Sequence, residues 1–425
     1  MKIFITFLVA LVAINGAMAQ WVPQNSGTTN NLNSVYFTDA DRGYAVGDGG
    51  IILKTFDGGI NWKMKNSGTV FNLLSVQFTD SLTGYVAGDN SILLKTIDGG
   101  ENWINQSISV SADLSSISFP ATDTGYLLGF FYDWQFSDTL YTYIFKTNNG
   151  GNLWTISYLY KTIDDVGSPY LNSVFFPDVN TGYAVGATGS MMYWPYLVKT
   201  IDGGMNWTSQ TLGNFEFFRL SSAYFLNTDT GYVVGSGAFN TLKTINGGND
   251  WTGLISNDFY SHNSVYFIDS EQGYLVGGQS WSNGNIIKCT EDGGYVWTTQ
   301  YSDNLSGNYL LSVNFANDTT GYAVGSNGVI LKTINGGITV GLDEDHQSIN
   351  CNIYPNPTKD IITISSPSLK GNTQLSIFNV SAEKVMEKLL IDIETQMDIS
   401  ALPRGIYFLR LQNEKVVEVG KIVKE

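Results

Sequence analysis

The residues best suited to chemistry in this 425-residue chain are carboxylates that recur at a fixed distance before a tryptophan. Residues 55–62 give the first copy, Thr-Phe-Asp-Gly-Gly-Ile-Asn-Trp. An array of such carboxylates would suit metal ions or a substrate. A structural role is favoured, because Asp or Asn accepts hydrogen bonds from its own turn, Gly takes the positive φ, and Trp packs on a neighbouring element. The pairs are Asp57 with Trp62, Asp98 with Trp103, Asn149 with Trp154, Asp202 with Trp207, Asn246 with Trp251 and Asp292 with Trp297.

A second candidate site consists of aromatic side chains in inserted loops. Aromatics on loops provide stacking surfaces for sugars or hot spots for a protein partner. The alternative is that they pack on each other and keep long loops ordered. The predicted ligand-binding residues are Phe130, Phe131, Tyr132, Trp134, Tyr193, Trp194, Tyr196, Phe215, Phe217, Phe218 and Trp281.

Catalysis has weaker support in the sequence. His262 and His346 are the only histidines, which argues against a zinc site, and nucleophile-elbow and phosphate-loop motifs do not occur. Glycoside hydrolysis stays open because it needs only two carboxylates at a suitable separation. The loop carboxylates are Asp133, Asp138, Asp164, Asp165 and Glu216, for which a solvated surface role is the simpler interpretation. We predict no catalytic residue, no metal and no cofactor.

The elements that position these residues are seven copies of one unit. Each copy has a strand A (Leu-x-Ser-Val-x-Phe), a strand B (Gly-Tyr-x-x-Gly), a strand C that ends in Lys-Thr, and a strand D that follows the Trp. Short alternating strands at this period predict an all-β fold, a seven-bladed β-propeller. Strand B begins at Gly43, Gly84, Gly125, Gly182, Gly231, Gly273 and Gly321.

The ends of the repeat region predict how the ring closes. The seventh copy runs to residue 337 and lacks its Trp, whereas residues 21–28 match residues 62–69 in spacing. Trp21 therefore supplies the missing strand D, so the N-terminal strand completes the last blade. A closed ring leaves no exposed sheet edge.

Loop lengths predict which face binds. Five residues separate strands A and B in every copy, and seven separate the strand C Lys from the Trp, or eight in blade six. The B–C loops range from 6 to 16 residues. We name the side of the A–B and C–D loops the constant face and the opposite side the variable face. Insertions confined to one face of a repeat array usually mark the binding side, here blades three to six.

The turn pattern Ser/Thr-x-Asp-x-Gly-x-x-Trp resembles the Asp box of bacterial neuraminidase repeats. Residues 21–337 resemble the Asp-box propellers of photosystem II assembly and stability factors, which implies a propeller that binds proteins. Those factors use an Arg-rich surface, and a sialidase needs an arginine cluster. The propeller has only Arg42 and Arg219. We therefore transfer the fold and the idea of binding but not the photosynthetic role.

The C-terminal segment has a different pattern. Residues 354–357 read Tyr-Pro-Asn-Pro, residues 402–407 read Leu-Pro-Arg-Gly-Ile-Tyr, and residues 421–424 form a basic last strand. These features resemble the type A sorting domain of the Bacteroidota type IX secretion system. The resemblance implies export by that machinery to the outer surface or medium, and the segment is long enough for a small β-sandwich.

The N-terminus reads as a secretory signal. Lys2 precedes an apolar run to Ile14, and residues 17–19 form an Ala-x-Ala site that places cleavage between Ala19 and Gln20. The apolar run is too short to span a bilayer. The predicted domains are 1–19 signal peptide, 20–339 propeller, 340–350 linker and 351–425 sorting domain.

Composition narrows the partners. The net charge is −16, and an acidic propeller repels phosphate backbones, which argues against nucleic acid. Cys289 and Cys351 lie in different domains and are interpreted as unpaired. We predict an exported monomer that binds a glycan or a protein without catalysis. The alternatives are a glycoside hydrolase and a structural or adhesive surface protein.

Overall fold

Two compact units make up the chain, one within Ala19–Ile338 and the other within Thr339–Glu425. The predicted cleavage site, the linker and Cys351 lie outside the described residues. The computed structural model describes residues 21–133, 139–162, 169–188, 194–210, 212, 219–237, 241–254, 261–278, 284–303, 308–337, 352–365, 373–379, 384–390, 392, 394–412 and 417–425.

Seven four-stranded antiparallel sheets form the first unit, which confirms the predicted propeller. The N-terminal strand β1 spans Val22–Gln24. Blades one to three are β2 Leu32–Phe37, β3 Gly43–Gly47, β4 Ile51–Thr55, β5 Lys63–Lys65; β6 Leu73–Phe78, β7 Gly84–Gly88, β8 Leu93–Thr96, β9 Ile104–Gln106; and β10 Asp113–Ser118, β11 Gly125–Asp133, β12 Thr139–Thr147, β13 Thr155–Thr162.

The remaining blades repeat this order, and short 3-10 helices occupy Asp48–Gly50 and Ser326–Gly328. Blades four to seven are β14 Tyr170–Phe175, β15 Gly182–Thr188, β16 Trp194–Thr200, β17 Thr208–Gln210; β18 Arg219–Phe225, β19 Gly231–Ser236, β20 Thr241–Thr244, β21 Thr252–Leu254; β22 Ser261–Phe267, β23 Gly273–Gly278, β24 Asn285–Thr290, β25 Thr298–Ser302; and β26 Leu310–Phe315, β27 Gly321–Gly325, β28 Ile330–Thr333 with β1.

The ring closes through β1, as the sequence predicts. Val22 lies opposite Lys332 in the antiparallel pair of β1 and β28. Trp21 is 1% exposed and contacts the rings of Tyr274 and Phe315 edge-on, at centroid distances of 6.2 and 5.9 Å. Its indole N–H donates to Gln300 Oε1 at 3.1 Å. The first described residues therefore supply a full strand D and its tryptophan.

Three aromatic rings fill each boundary between blades. The strand B tyrosine stacks on the strand A phenylalanine of the next blade, as Tyr44 does on Phe78 at 3.9 Å, and Trp103 meets that phenylalanine edge-on at 6.0 Å. The first glycine of strand B makes room for the same ring, since a Cβ on Gly84 would lie 2.5 Å from Phe78. The repeated Gly, Tyr, Phe and Trp thus form one packing unit. Equivalent Tyr–Phe pairs occur at all seven boundaries, with centroids 3.5–4.2 Å apart.

A polar contact, which we name the Tyr–Lys clasp, joins five of the blades to the turn of the next. In blade one Lys54 instead pairs with Glu101 of the next turn at 2.7 Å. In blade two, the Tyr85 hydroxyl and the Lys95 ammonium both donate to the carbonyl oxygen of Gly150, at 2.7 Å each. Burial raises the pKa of Tyr85 to about 12, so its phenol stays a donor. All seven strand B tyrosines donate to such a glycine carbonyl. The repeated Lys of Lys-Thr is therefore a connector between blades.

Blade six departs from this clasp. Cys289 occupies the lysine position, buried beside Tyr274. The carbonyl of Gly336 accepts the Tyr274 hydroxyl at 2.7 Å and the Gln300 side-chain amide at 3.4 Å. Lys288 lies one residue earlier, opposite Leu275 on the neighbouring strand. The turn from Thr290 to Trp297 has the same length as in the other blades. The spacing of eight residues between Lys and Trp in blade six therefore arises because its lysine lies one position earlier.

The second unit consists of a three-stranded and a four-stranded sheet, ordered β29-β30-β33 and β32-β31-β34-β35. One apolar cluster that includes Ile364, Ile377, Leu409 and Ile422 forms its core, which confirms the predicted small β-sandwich. In the described parts of the chain, no helix is long and apolar enough to cross a membrane. The strands are β29 Asn352–Tyr354, β30 Ile361–Ser365, β31 Thr373–Phe378, β32 Lys384–Leu390, β33 Glu394–Asp398, β34 Gly405–Gln412 and β35 Val417–Lys424.

Candidate functional site

The repeated carboxylates are occupied by their own turns. Asp98 Oδ1 accepts the Asn102 backbone N–H at 3.0 Å and the Thr96 hydroxyl at 2.8 Å, while Oδ2 accepts the Asn102 side-chain amide at 2.8 Å. In blade three Asn149 Oδ1 accepts the equivalent backbone N–H, from Leu153 at 3.0 Å. The side-chain oxygen of Asn therefore accepts the same backbone hydrogen bond in the turn as the carboxylate of Asp does. Among the described residues, no group of three or more His, Cys, Asp or Glu side chains is placed to hold a metal ion.

These turns give the propeller a specific pH dependence. The pKa values of Asp98 and Asp202 lie at about 2, chiefly because backbone and side-chain amides of Asn102 and Asn206 donate to them. An unfolded Asp titrates near pH 4, about 3.9 in model peptides. Their stabilising effect is therefore complete above about pH 4 and is lost as the pH falls toward 2. Replacing both with Asn should reduce this acid-induced loss of stability, measured as the urea midpoint of tryptophan fluorescence.

Asn149 and Asn246 provide the internal control, because their turns already form with an amide. The double Asn variant should therefore fold, with a neutral-pH midpoint below that of the parent because it lacks the two ionised hydrogen-bond acceptors. Equal loss of stability on acidification in parent and variant would contradict the assignment.

The insertion in blade three lengthens the sheet. β11 and β12 have 9 residues each, against 5 in the equivalent strands of blade one. The sequence predicts that an inserted loop begins at Phe130. This prediction is wrong for residues 130–133, because they continue strand β11 and pair with Thr142 to Thr139 of β12. Since successive residues of a strand point to opposite sides, Phe130 and Tyr132 face one way and Phe131 the other.

The two sides of this hairpin have different neighbours. Phe130 packs on Tyr170 of blade four with ring centroids 4.6 Å apart. Phe131 lies 6.2 Å from Tyr141, which packs on the core cluster shared with blade two. The structure therefore divides the predicted aromatic set, and only Phe130 and Tyr132 lie on the side toward blade four.

Blade four completes what we name the aromatic patch: Phe130, Tyr132, Tyr158, Trp194 and Tyr196. Trp194 is 45% exposed and pairs with Thr188 at the outer end of β16. The Tyr196 and Tyr158 hydroxyls lie 3.4 Å apart, and burial followed by this contact raises the pKa of Tyr158. The patch thus combines a half-exposed indole with two phenol hydroxyls in hydrogen-bonding contact.

A polar cavity of about 490 Å³ lies at the inner ends of the strands A. Arg219 is at its edge, with its guanidinium carbon 5.5 Å from the ring of Tyr170 and Nη2 donating to Asn172 Oδ1 at 3.4 Å. Tyr170 thus links the aromatic patch, through Phe130, to the cavity. Sequence reasoning missed this cavity, although the variable residue of each Leu-x-Ser would have indicated it. The lining comprises Asn33, Leu74, Ser115, Asn172, Arg219, Ser221, Ser236, Ser261, Asn263 and Leu311.

Carboxylates also occur on this face. Burial raises the pKa of Asp89, and the charges of Asp113 and Asp48 add to the effect. Asp89 Oδ2 accepts the Asn72 side-chain amide at 3.0 Å, and Asp113 Oδ1 accepts a backbone N–H at 2.7 Å. These contacts hold loops of blades one to three.

Of the candidate loop carboxylates only Asp133 is described, at the end of β11 and opposite Thr139. Ten other predicted residues fall outside the described residues: Trp134, Asp138, Asp164, Asp165, Tyr193, Phe215, Glu216, Phe217, Phe218 and Trp281.

Two family models match parts of the chain, each less than half of it. Residues 352–425 match the secretion system C-terminal sorting domain. The C-terminal unit is a type IX sorting domain. This domain implies export and a cell-surface or secreted location. Residues 14–111 match the photosynthesis system II assembly factor YCF48.

Solved structures with the propeller fold are similar at low identity. They include YCF48 bound to D1 peptide (TM-score 0.56, 16% identity, 74% of this chain and 97% of that chain). PorZ of the Porphyromonas gingivalis type IX secretion system is also similar (TM-score 0.52, 12% identity, 93% of this chain and 59% of that chain). A third is the Niastella koreensis GH74 enzyme (TM-score 0.55, 12% identity, 95% of this chain and 74% of that chain). Comparison with curated proteins gave no match. At these identities the similarity establishes the fold alone.

Proposed function

We propose that this chain is an exported, non-catalytic binding module whose propeller binds a glycan on the variable face. The sorting domain delivers the propeller to the cell exterior, and the aromatic patch between blades three and four contacts the ligand. The observation that supports the proposal is the lengthened blade-three hairpin, on which Phe130 and Tyr132 share the side toward blade four, where Trp194 is half-exposed.

The surroundings of the patch favour a glycan over a protein. Flat aromatic faces stack on sugar rings, while amides, hydroxyls and a guanidinium bind sugar hydroxyls. The adjoining cavity supplies the second group, with Asn172 and Arg219 connected to the patch through Tyr170. Its volume of about 490 Å³ lies within the usual range for small-ligand sites, roughly 300–1,000 Å³.

The test is a glycan array on the mature chain, followed by calorimetry with the best-bound oligosaccharide. Replacing both Tyr132 and Trp194 with Ala should weaken binding at least tenfold, because truncation of central aromatic anchors removes about 2 kcal/mol or more. Phe131→Ala is the matched control, since this neighbouring aromatic faces the other side of the hairpin. Its affinity should stay within about twofold of the parent.

Each other outcome has a definite meaning. Equal weakening by the control and the double variant would contradict the patch. No binding to any sugar would contradict the glycan and favour a protein ligand or an adhesive role. Cleavage of the bound oligosaccharide, seen by mass spectrometry, would favour the glycoside hydrolase and contradict a non-catalytic module.

A further inference from the structure

Apolar side chains recur on the constant face in five of the seven repeats, at the residue that follows the last Thr of strand C; blade three has Asn148 there and blade six Glu291. We name these five side chains the apolar ring. They are Phe56, Ile97, Ile201, Ile245 and Ile334, each between 50% and 72% exposed. Exposed apolar patches on soluble proteins often mark interaction sites.

The fold does not require these residues. Blade three has Asn148 at the same position and still forms the turn, with Thr147 donating to Asn149 at 2.9 Å and Gly151 N–H donating to Thr147 at 3.0 Å. Phe56 lies against the ammonium of Lys54, which is 4.0 Å from its ring centroid, and the four isoleucines are 65–72% exposed. An apolar residue at this exposed position therefore needs a reason other than folding.

Negative charge surrounds the ring. Asp57, Asp98 and Asp202 directly follow ring residues, and Asp292 occupies the same turn in blade six. Hydrogen bonds within the turns lower the pKa of all four, so they are ionised at neutral pH. The nearby Arg42 is already paired with Asp39 at 3.7 Å. The constant face thus combines aliphatic groups with fixed carboxylates.

The turns that carry the ring are held in place before any partner arrives. Gly99 N–H donates to the carbonyl of Leu82 in the A–B loop at 2.8 Å, and the preceding blade's Tyr44 donates to the Gly99 carbonyl at 2.7 Å. A pre-organised surface loses little conformational entropy on binding.

From these features we propose that the constant face binds a cationic amphipathic protein segment, in which Lys or Arg side chains alternate with aliphatic ones. The aliphatic groups contact the ring, and the cations pair with the turn carboxylates. A second copy of this chain is a poorer occupant, because two such faces repel each other. The proposal is independent of the glycan site on the variable face.

The test uses the mature chain and a labelled twelve-residue peptide of alternating Lys and Leu, with fluorescence anisotropy as the readout. The ring variant replaces Ile97, Ile201 and Ile245 with Ser. The matched control replaces Met64, Ile104 and Ile156 with Ser, because these exposed residues lie on outer strands D. The ring variant should bind at least tenfold more weakly, and the control should stay within about twofold.

A charge variant tests the second half of the proposal. Asp57, Asp98, Asp202 and Asp292 are replaced with Asn, a change that Asn149 and Asn246 show the turn accommodates. Affinity should fall, and its dependence on salt should become weaker. Equal affinity in the ring variant and its control would overturn the proposal. So would equal binding of a Glu-Leu peptide, or self-association of the chain in sedimentation experiments.

Discussion

Replacing Trp21 with alanine should destabilise the propeller by about 3–5 kcal/mol, the range for removing a large buried aromatic side chain. Trp21 is 1% exposed and packs against Tyr274 and Phe315 across the boundary between blades six and seven. The same boundary has Cys289 where the others carry the clasp lysine. Loss of Trp21 thus removes both this packing and the hydrogen bond from its indole to Gln300, which itself donates to the Gly336 carbonyl.

Urea unfolding followed by tryptophan fluorescence measures this effect on the propeller alone, since all ten tryptophans lie between residues 21 and 297. Trp194→Ala is the matched control, because that indole is 45% exposed. The control should shift stability by less than about 0.5 kcal/mol. Comparable shifts in both variants would refute the role of Trp21 in closure.

Deletion of residues 351–425 should leave the protein in the periplasm, because the sorting domain is the element that the type IX machinery recognises. Fractionation of cells and culture medium measures the outcome. The retained propeller should show unchanged tryptophan fluorescence, which separates failed export from failed folding. Normal surface or medium levels of the shortened chain would contradict the assigned sorting role.

Ile422→Asp refines this experiment. Ile422 is fully buried in the core of the C-terminal unit, so the substitution places a charge there and should block export as the deletion does. Ile406 is 42% exposed in β34, and Ile406→Ser should be exported normally.

The sequence predicts the fold well because each repeated residue has one structural partner. The period of Gly-Tyr-x-x-Gly predicts the blades, and the match of Trp21 with Trp62 predicts the closure. The clasp was not predicted, because Lys95 contacts a turn 55 residues away in the next blade. The spacing of the repeat motifs also does not show that Cys289, and not Lys288, occupies the position of the clasp lysine.

The candidate site was predicted less well for a geometric reason. Sequence alone treats Phe130 and Phe131 as one aromatic loop, whereas pairing with β12 sends them to opposite sides of a strand. The cavity beside Arg219 is lined by the variable second residue of the strand A motif in all seven blades, and only closure of the ring brings these residues together. Of the predicted aromatic side chains, Tyr132 lies in the lengthened strand β11, and Trp194 and Tyr196 lie in the lengthened strand β16.

The pairing of β1 with β28 has a mechanical consequence. Trp21 and Gly337 lie side by side, so the propeller chain enters and leaves at the same point of one blade. Force that pulls these two ends apart therefore breaks the β1–β28 hydrogen bonds in sequence, starting with the pair of Val22 and Lys332. Because β1 pairs through only three residues, it should separate from blade seven before the other strands of the propeller do.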